Sequence, residues 1–594
     1  MSADLKKIQV QGGEVLDRPC NSPEPEPCPM VSWLSPKQLA LTAVNVAISA
    51  ALGTRADMRM MQAQMEGPHF IDYEFCNPED DFWFDYMADT GDGWEPTLSM
   101  ASLLTQESLT TESSGTKYVL PRGKFLVLGG DEVYPYASKL QYKNRLVGPF
   151  EYAKQSSVFS KIGEAAHMFA IPGNHDWYDG LVSFMRQFQQ NRHIGIWKTN
   201  QKRSYFALKL PHRWWLWGID TQLESDIDWP QVKFFQKVAK SMDDHDRLIL
   251  CTAEPYWIYA ELYKDKDLDN NLNFLLGQKV LGDKRIHPYL CLSGDLHIYR
   301  RHQDVSDTNR HKIVSGGGGA FSHPTHNGRV ESITLLEADP SRARESGKLV
   351  PHLEKSGPDM PQGESVTDIT ASPENNPDEI PCVLRTYMQA ADQFPPEQIS
   401  RRLAWRNLIL GYYNPTFGVV TAILYVILGW ALTSSTATFL VGIVLTYFIG
   451  WAFCDALIGR FFRHLWGGMA HGMAHLAAVC SLSFIEHMVS NRWAFLGDVV
   501  LYPLIVGTGG YILGPVILGA YLLVSLNCFS VHHNEAFSSL RNPNYKNFLR
   551  VNVAKNGTLT IYPVGVTTPK SPPILIEQPI AIEPEKPGDS GAKI

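Results

Sequence analysis

The sequence predicts an α/β domain followed by an α-helical membrane bundle. Three observations carry this. Short apolar runs alternate with longer amphipathic stretches from about Phe82 to Glu337, each apolar run ends in a polar cluster, and after RRLAWR at residues 401–406 long apolar segments take over. Polar clusters at strand ends are where α/β folds place their chemistry. Apolar segments approaching 20 residues are long enough to cross a hydrocarbon core.

Bulk properties narrow the function classes. A chain of 594 residues exceeds a single core, so several domains are expected. The net charge of −8, with no basic run, excludes a general nucleic-acid binder. The nine cysteines are scattered and never spaced as Cys-x-x-Cys, which gives neither a disulfide framework nor a thiolate zinc site. A mean hydropathy of −0.16 conceals the membrane part, because the apolar signal is local. The start, MSADLKKIQVQGGEVLDRPCNSPEPEPCPM, is polar and Pro-rich where a secretory signal needs an apolar core, so the first domain is expected in the cytoplasm.

Residues 1–66 read as a leader followed by a packed helix, since the apolar run Leu39–Gly53 is too short to span. Residues 67–338 form the α/β domain. Residues 339–400, rich in Pro, Ser, Glu, Asp and Gly, read as a disordered linker or insertion. Four or five spans are expected within 401–530, near 416–433, 437–455, 466–485, 494–509 and 511–529. Residues 531–568 contain a β-hairpin around Asn556-Gly557, and 569–594 a disordered tail. Arg401, Arg402, Arg406, Arg460 and Arg463 flank the first spans while TSSTAT carries no charge, placing the first domain in the cytoplasm of a multi-pass membrane protein. Four crossings would return the hairpin to that side, where its strands could dock on the α/β domain. His464, His471 and His475 share one helical face; hydrogen-bonded packing is the plainer reading and metal or haem ligation the sharper one.

Strand ends in the α/β domain present metal-ligand side chains: Asp89 in ADTGDG, Asp131 in GGDEVY, Asn174 and His175 in PGNHD, and Asp295 and His297 in SGDLH. Singly, each is as well read as a cap or turn former. Their order and shared position point to a joint site.

The series resembles the calcineurin-like metallophosphoesterases, with GNHD at 173–176 unchanged; Asp89-Thr90-Gly91 and Tyr134, three residues after Asp131, are closest to the purple acid phosphatase branch. The resemblance covers about 82–330. It implies a four-layer α-β-β-α sandwich and hydrolysis of phosphate mono- or diesters with two divalent metal ions. Asp131 would bridge the metals; Asp89, Tyr134 and His297 would complete the first, and Asn174 and Asp295 would serve the second. Together the metals would lower the pKa of a bound water and neutralise phosphoryl oxygens. His175 resembles the histidine that contacts phosphate and protonates the leaving oxygen, with Asp176 either fixing its tautomer or structural.

Two positions depart from the family pattern. Gly-His-x-His reads Gly294-Asp295-Leu296-His297, and the strand expected to carry a lone histidine reads LILCTAEPYW, with Ala253 at that place. Glu254 is the neighbouring replacement, although strand alternation turns it to the other face. Largely oxygen ligation favours Mn²⁺, with Fe or Mg²⁺ as alternatives. His323 and His326, after the glycine run in VSGGGGAFSHPTH, are expected at the mouth of the site on substrate, the alternative being a flexible loop. Asp220 is expected as a cap, with support behind the metal ligands as the alternative, and Trp177 and Tyr178 as pocket wall or core. The expected partners are a phosphate-ester substrate and the lipid bilayer. The competing reading is a phosphoesterase-fold sensor that regulates its membrane bundle without turnover; a third makes the bundle itself the transporting or lipid-handling unit.

Overall fold

The structure, a computed structural model, describes residues 24–41, 67–74, 80–156, 166–221, 227–262, 268–281, 286–326, 330–338, 382–434, 461–490 and 500–584, with a few positions between them. Two nine-stranded sheets dominate the described residues. In the first, β1 (Phe82–Met87), β2 (Phe125–Leu128) and β3 (Ala166–Ala170) run parallel. In the second, β4 (Trp214–Ile219), β5 (Arg247–Thr252), β6 (Pro288–Ser293) and β8 (His311–Ser315) run parallel in that spatial order, and β7 (Tyr299–Asp304) and β9 (Cys382–Phe394) continue it antiparallel. The parallel strands are apolar or aromatic along nearly their whole length, as strands covered on both faces must be.

Three cores account for that burial. One joins the facing sides of the two sheets, with Phe84, Phe125 and Phe169 against Leu216, Ile249 and Leu292. A second packs the helix Trp229–Ala239 and its neighbours on Trp215, Trp217 and Leu250. A third packs the helices Trp94–Thr105 and Val182–Phe188 on Leu126, Leu128 and Met168.

The C-terminal hairpin is no separate segment. β10 (Lys546–Val553) pairs antiparallel with β1, and β11 (Leu559–Val566) pairs with β10. The wholly buried Arg550 of β10 locks the junction, with Nε 2.7 Å from Asp85 Oδ1, Nη2 3.2 Å from Oδ2 and Nη1 donating to the Leu120 carbonyl at 3.0 Å. Of the expected disordered tail, residues 585–594 lie outside the described residues, while Ile574–Leu575 and Ile580–Ile582 correct the reading by pairing with the outer edge of β11. Of the expected linker 339–400, residues 339–381 lie outside the described residues, while β9 pairs on both of its edges.

Three helices are long and apolar enough to cross a membrane: Pro415–Leu432, Gly468–Ser490 and Tyr502–Phe529. The expected spans 494–509 and 511–529 are not separate. The second half of the former and all of the latter lie in one helix, Tyr502–Phe529, with Pro515 inside it, where neighbouring chain packs closely; a Cβ on Gly411 would meet the Pro515 ring at 3.2 Å, and residues 494–499 lie outside the described residues. The expected span 437–455 falls mostly outside the described residues. His475 and His471 follow the hydrogen-bonded reading: Tyr425 Oη is 2.6 Å from His475 Nδ1, and the two histidine Nε2 atoms are 3.1 Å apart.

The N-terminal part also differs from expectation. Residues 24–34, read as leader, are fastened to the domain: Arg145 donates to the Pro29 carbonyl at 3.0 Å, the Val31 amide donates to Asp92 at 2.9 Å, and Met30 and Leu34 are buried. Leu39, Leu41 and Val44 of the expected packed helix are 49%, 37% and 54% exposed, because no described element covers them.

Candidate metal centre

The C-terminal ends of the parallel strands converge. Asp89 follows β1, Asp131 follows β2, Asn174 and His175 follow β3, Glu254 follows β5, and Asp295 and His297 lie between β6 and β7. The loops are knitted to one another: the Asp89 amide donates to the Gly130 carbonyl, the Thr90 amide to Asp131, and the Ala320 amide to Asp89. Asp89, Asp131, Asp295 and His297 have φ of 55°, 52°, 68° and 41°. Left-handed backbone is costly for these residues, and such strain gathers at functional sites.

Asp89, Asp131 and His297 are buried and bring their ligand atoms within 4.8 Å of one another. The Tyr134 hydroxyl stands among them, 2.8 Å from His297 Nε2, 3.1 Å from Asp131 Oδ2 and 3.5 Å from Asp89 Oδ1. His297 Nδ1 lies 2.7 Å from the Phe321 carbonyl, so it carries the proton there and Nε2 keeps a lone pair toward the carboxylates.

The charge balance within this group is one-sided. Burial, then the neighbouring Asp131 and Asp295, hold Asp89 well above the usual carboxylate range. Burial and Asp176 push Asp131 up to about 8. Burial and the adjacent His323 hold His297 well below the ordinary imidazole value. Asp89 Oδ2 is buried without a hydrogen-bond partner. Two buried carboxylates, a neutral imidazole and a phenol in mutual reach offer the donor types that suit a divalent cation.

Glycine makes the approach possible. A Cβ at Gly173 would lie 2.1 Å from Asp131 Oδ1, and one at Gly316 would lie 2.1 Å from Asp89 Oδ2. The run Gly316–Gly319 is therefore close-packed floor rather than flexible loop; Gly317 meets Asn547 of β10, and Gly319 meets Thr90 and Thr97.

The other expected site residues fall into different places. The His175 amide donates to Asp131 Oδ1 at 2.9 Å, and its Nδ1 lies 2.8 Å from the Pro135 carbonyl. That contact fixes the tautomer, so the tautomer role considered for Asp176 is corrected. Asp176 instead accepts from the Gly173 and Glu132 amides and from the Tyr142 hydroxyl. Burial lowers the His175 pKa. Asn174 is exposed and starts the four-residue helix Asn174–Trp177. Asp295 accepts from the Tyr259 hydroxyl. Ala253 Cβ would come 2.9 Å from a Cβ on Gly130, so this small side chain does occupy ground beside the centre; the Glu254 carboxylate raises the Asp131 pKa through space.

His323 stacks on His297 with ring centroids 4.3 Å apart. His326 does not join the site: its Nδ1 lies 2.7 Å from Ser400 Oγ, because the loop after Phe321 turns onto the helix Glu397–Ala404. Asp220 is no cap; it accepts from Trp177 Nε1 at 3.3 Å and Ser204 Oγ at 2.5 Å. Trp177 is core, and Tyr178 stands 5.1 Å from the His175 ring.

Sequence reasoning missed Trp33, whose ring lies 6.3, 5.8 and 5.9 Å from those of Tyr134, His175 and Phe321. It also missed Asp92, which accepts from the Val31 and Phe321 amides, and Tyr259. Lys546 of β10 is buried near the floor, beside Ser322 and the Asn542 carbonyl, and burial pushes it down to about 7. A lone tryptophan in a Pro-rich start carried no signal for its role.

No family model matches the chain, and no curated protein does. Among solved structures it is similar to PhoD, with 11% identity and a TM-score of 0.24, over 41% of this chain and 58% of that one. The chain thus spans less than two thirds of PhoD.

Proposed function

We propose that this protein is a metal-dependent phosphate-ester hydrolase anchored in a membrane. The observation that carries the reading is the buried set Asp89, Asp131, His297 and Tyr134, with Asp89 Oδ2 left without a hydrogen-bond partner. These residues would hold one divalent ion. Asp131 shared with Asn174, Asp295 and Glu254 would hold a second, with Mn²⁺ the favoured identity. The four-layer α-β-β-α reading is supported by one core between the sheets and one helical core on each outer face.

Bound divalent ions would supply charge neutralisation at the phosphoryl oxygens and acidify water. The chain's own groups do the rest. The Pro135 carbonyl orients His175 and holds a proton on Nδ1, which leaves Nε2 to pass a proton to the departing oxygen. Burial keeps that ring neutral at rest, so it takes up its proton together with an anionic substrate. Trp33, packed over His175 and Tyr134, excludes water from one side.

The pairing of β10 with β1 supports both ends of the membrane region on one side and an even number of crossings, and the three membrane-length helices together with the span expected at 437–455 would make four. The flanking arginines favour the cytoplasm as that side. Labelling of a single cysteine at Lys124 from outside intact cells would contradict this side. The activity itself is tested on the full chain in detergent with aryl phosphate mono- and diesters. Hydrolysis that a chelator abolishes and divalent metal restores is expected; a metal-loaded, folded protein inert toward all of them would leave the sensor reading.

A further inference from the structure

The candidate metal centre is joined to the membrane-length helices through Phe321. Phe321 accepts the His297 Nδ1 proton on its carbonyl, and its ring packs in a core with Leu403 and Leu410 and with Leu518, Leu522 and Leu526 of the helix Tyr502–Phe529. The same loop is held a few residues on, where the Thr325 amide and His326 Nδ1 meet Ser400 Oγ at 2.9 and 2.7 Å.

Ser400 belongs to the helix Glu397–Ala404, which continues through residues 405–413 into the first membrane-length helix. One face of this segment, with Ser400, Leu403, Ala404, Asn407 and Leu410, is buried, Ser400 against the loop at Thr325 and His326 and the leucines against Leu518, Leu522 and Leu526. The other shows Trp405, Ile409 and Tyr412 at 64%, 53% and 81% exposure, interleaved with exposed Arg402 and Arg406. Cations with large apolar and aromatic groups, leading directly into a span, are the composition of a segment lying in an anionic headgroup layer. On the other flank Trp33 rests on His175 and Tyr134, and the helical residues after it expose Leu39 and Leu41. Exposed apolar groups therefore lie both on the segment that leads into the first membrane-length helix and on the stretch that follows Trp33.

We infer that the phosphate ester cleaved at this centre is the headgroup ester of a membrane lipid, presented from the bilayer surface. This rests on the phosphoesterase reading above and names its substrate class. In the reaction a water oxygen bonds to phosphorus and the phosphorus–oxygen ester bond breaks. One proton of the water reaches the departing alcohol through His175, and the other stays with the product phosphate. The apolar part of the lipid never leaves the bilayer, so the surface concentrates the ester beside Asp131 and His175 with no cost of extracting the lipid.

The test uses the full chain, Mn²⁺-loaded, in neutral-detergent micelles. The probes are long-chain phosphatidic acid and phosphatidylglycerol, their short-chain, monomerically soluble counterparts, and p-nitrophenyl phosphate. Turnover of a long-chain lipid should exceed that of its soluble counterpart by roughly tenfold or more. It should fall as the lipid is diluted in the micelle surface at constant bulk concentration, while p-nitrophenyl phosphate turnover does not respond. Arg402→Gln with Arg406→Gln should lower the lipid-to-aryl rate ratio several-fold. Hydrolysis of the aryl ester with no preference for the long-chain lipid, or no surface dilution, overturns the inference and leaves the phosphoesterase reading standing. Metal-loaded protein that hydrolyses none of the probes overturns both.

Discussion

Replacing Arg550 with methionine should cost the protein several kcal/mol and, with it, the active domain. Arg550 is 0% exposed and Asp85 1%, and three hydrogen bonds from the guanidinium tie β10 to β1 and to the Leu120 carbonyl. Arg550→Met keeps the aliphatic volume but strands the Asp85 carboxylate in the core, with only the Gly123 amide at 3.2 Å left to satisfy it. Breaking a buried pair from one side costs about 3–5 kcal/mol. For a domain of this size that corresponds to a melting midpoint lower by roughly 5–10 °C. The double variant Arg550→Met, Asp85→Leu removes both charges and should recover most of the loss, since buried pairs replaced whole by apolar groups are often neutral. Scanning fluorimetry of the detergent-solubilised chain, with residual hydrolysis after heating as second readout, measures both. A midpoint within 1 °C of wild type for the single variant, or a double variant no better than it, would refute the claim that the C-terminal strands are structural members of the α/β domain.

Gly316→Ala should weaken metal binding by at least tenfold, because its Cβ would lie 2.1 Å from Asp89 Oδ2 and 2.8 Å from the His297 amide; calorimetric titration of the stripped protein reads this, and unchanged affinity would show that the floor yields. Metal affinity should rise with pH between 6 and 8. Asp131, pushed up to about 8, is protonated in the metal-free state below that value and must release its proton to bind, so affinity gains up to roughly tenfold per pH unit; a flat profile contradicts a protonated Asp131. His175→Asn should keep metal binding and slow turnover by about 10²- to 10⁴-fold, more for poor leaving groups than for good ones. Equal losses would mean that His175 holds phosphate without donating a proton.

The centre was legible because its residues sit where chain geometry is most constrained. Asp89, Asp131 and His297 follow apolar strands directly, and the glycines beside them mark backbone that must pass within contact distance of a carboxylate. Ala253 was equally readable as a gap in the pattern. The role of Glu254 was not, since only strand alternation spoke to it. Long-range pairing left no trace: Asn556-Gly557 announced a hairpin, but nothing in β10 says that it joins a strand 465 residues away in sequence. β9 was hidden by the composition of the residues preceding it, and the strand at Ile580–Ile582 by a Pro-rich tail, although proline is tolerated at a sheet edge. The two short spans expected at 494–509 and 511–529 part at Gly510, yet one helix, Tyr502–Phe529, runs through that glycine and through Pro515. In a packed membrane helix the freed backbone groups are satisfied by neighbours.

Hydrolysis and metal content measured together, on one sample of the full chain, bear most directly on the proposed centre. Stripped protein titrated with Mn²⁺ should gain aryl phosphate hydrolysis in step with bound metal. Asp131→Asn should remain folded by its melting midpoint, bind less metal and show no turnover. Full hydrolysis by the stripped protein, or an Asp131→Asn variant as active as wild type, would contradict a reaction run through these residues.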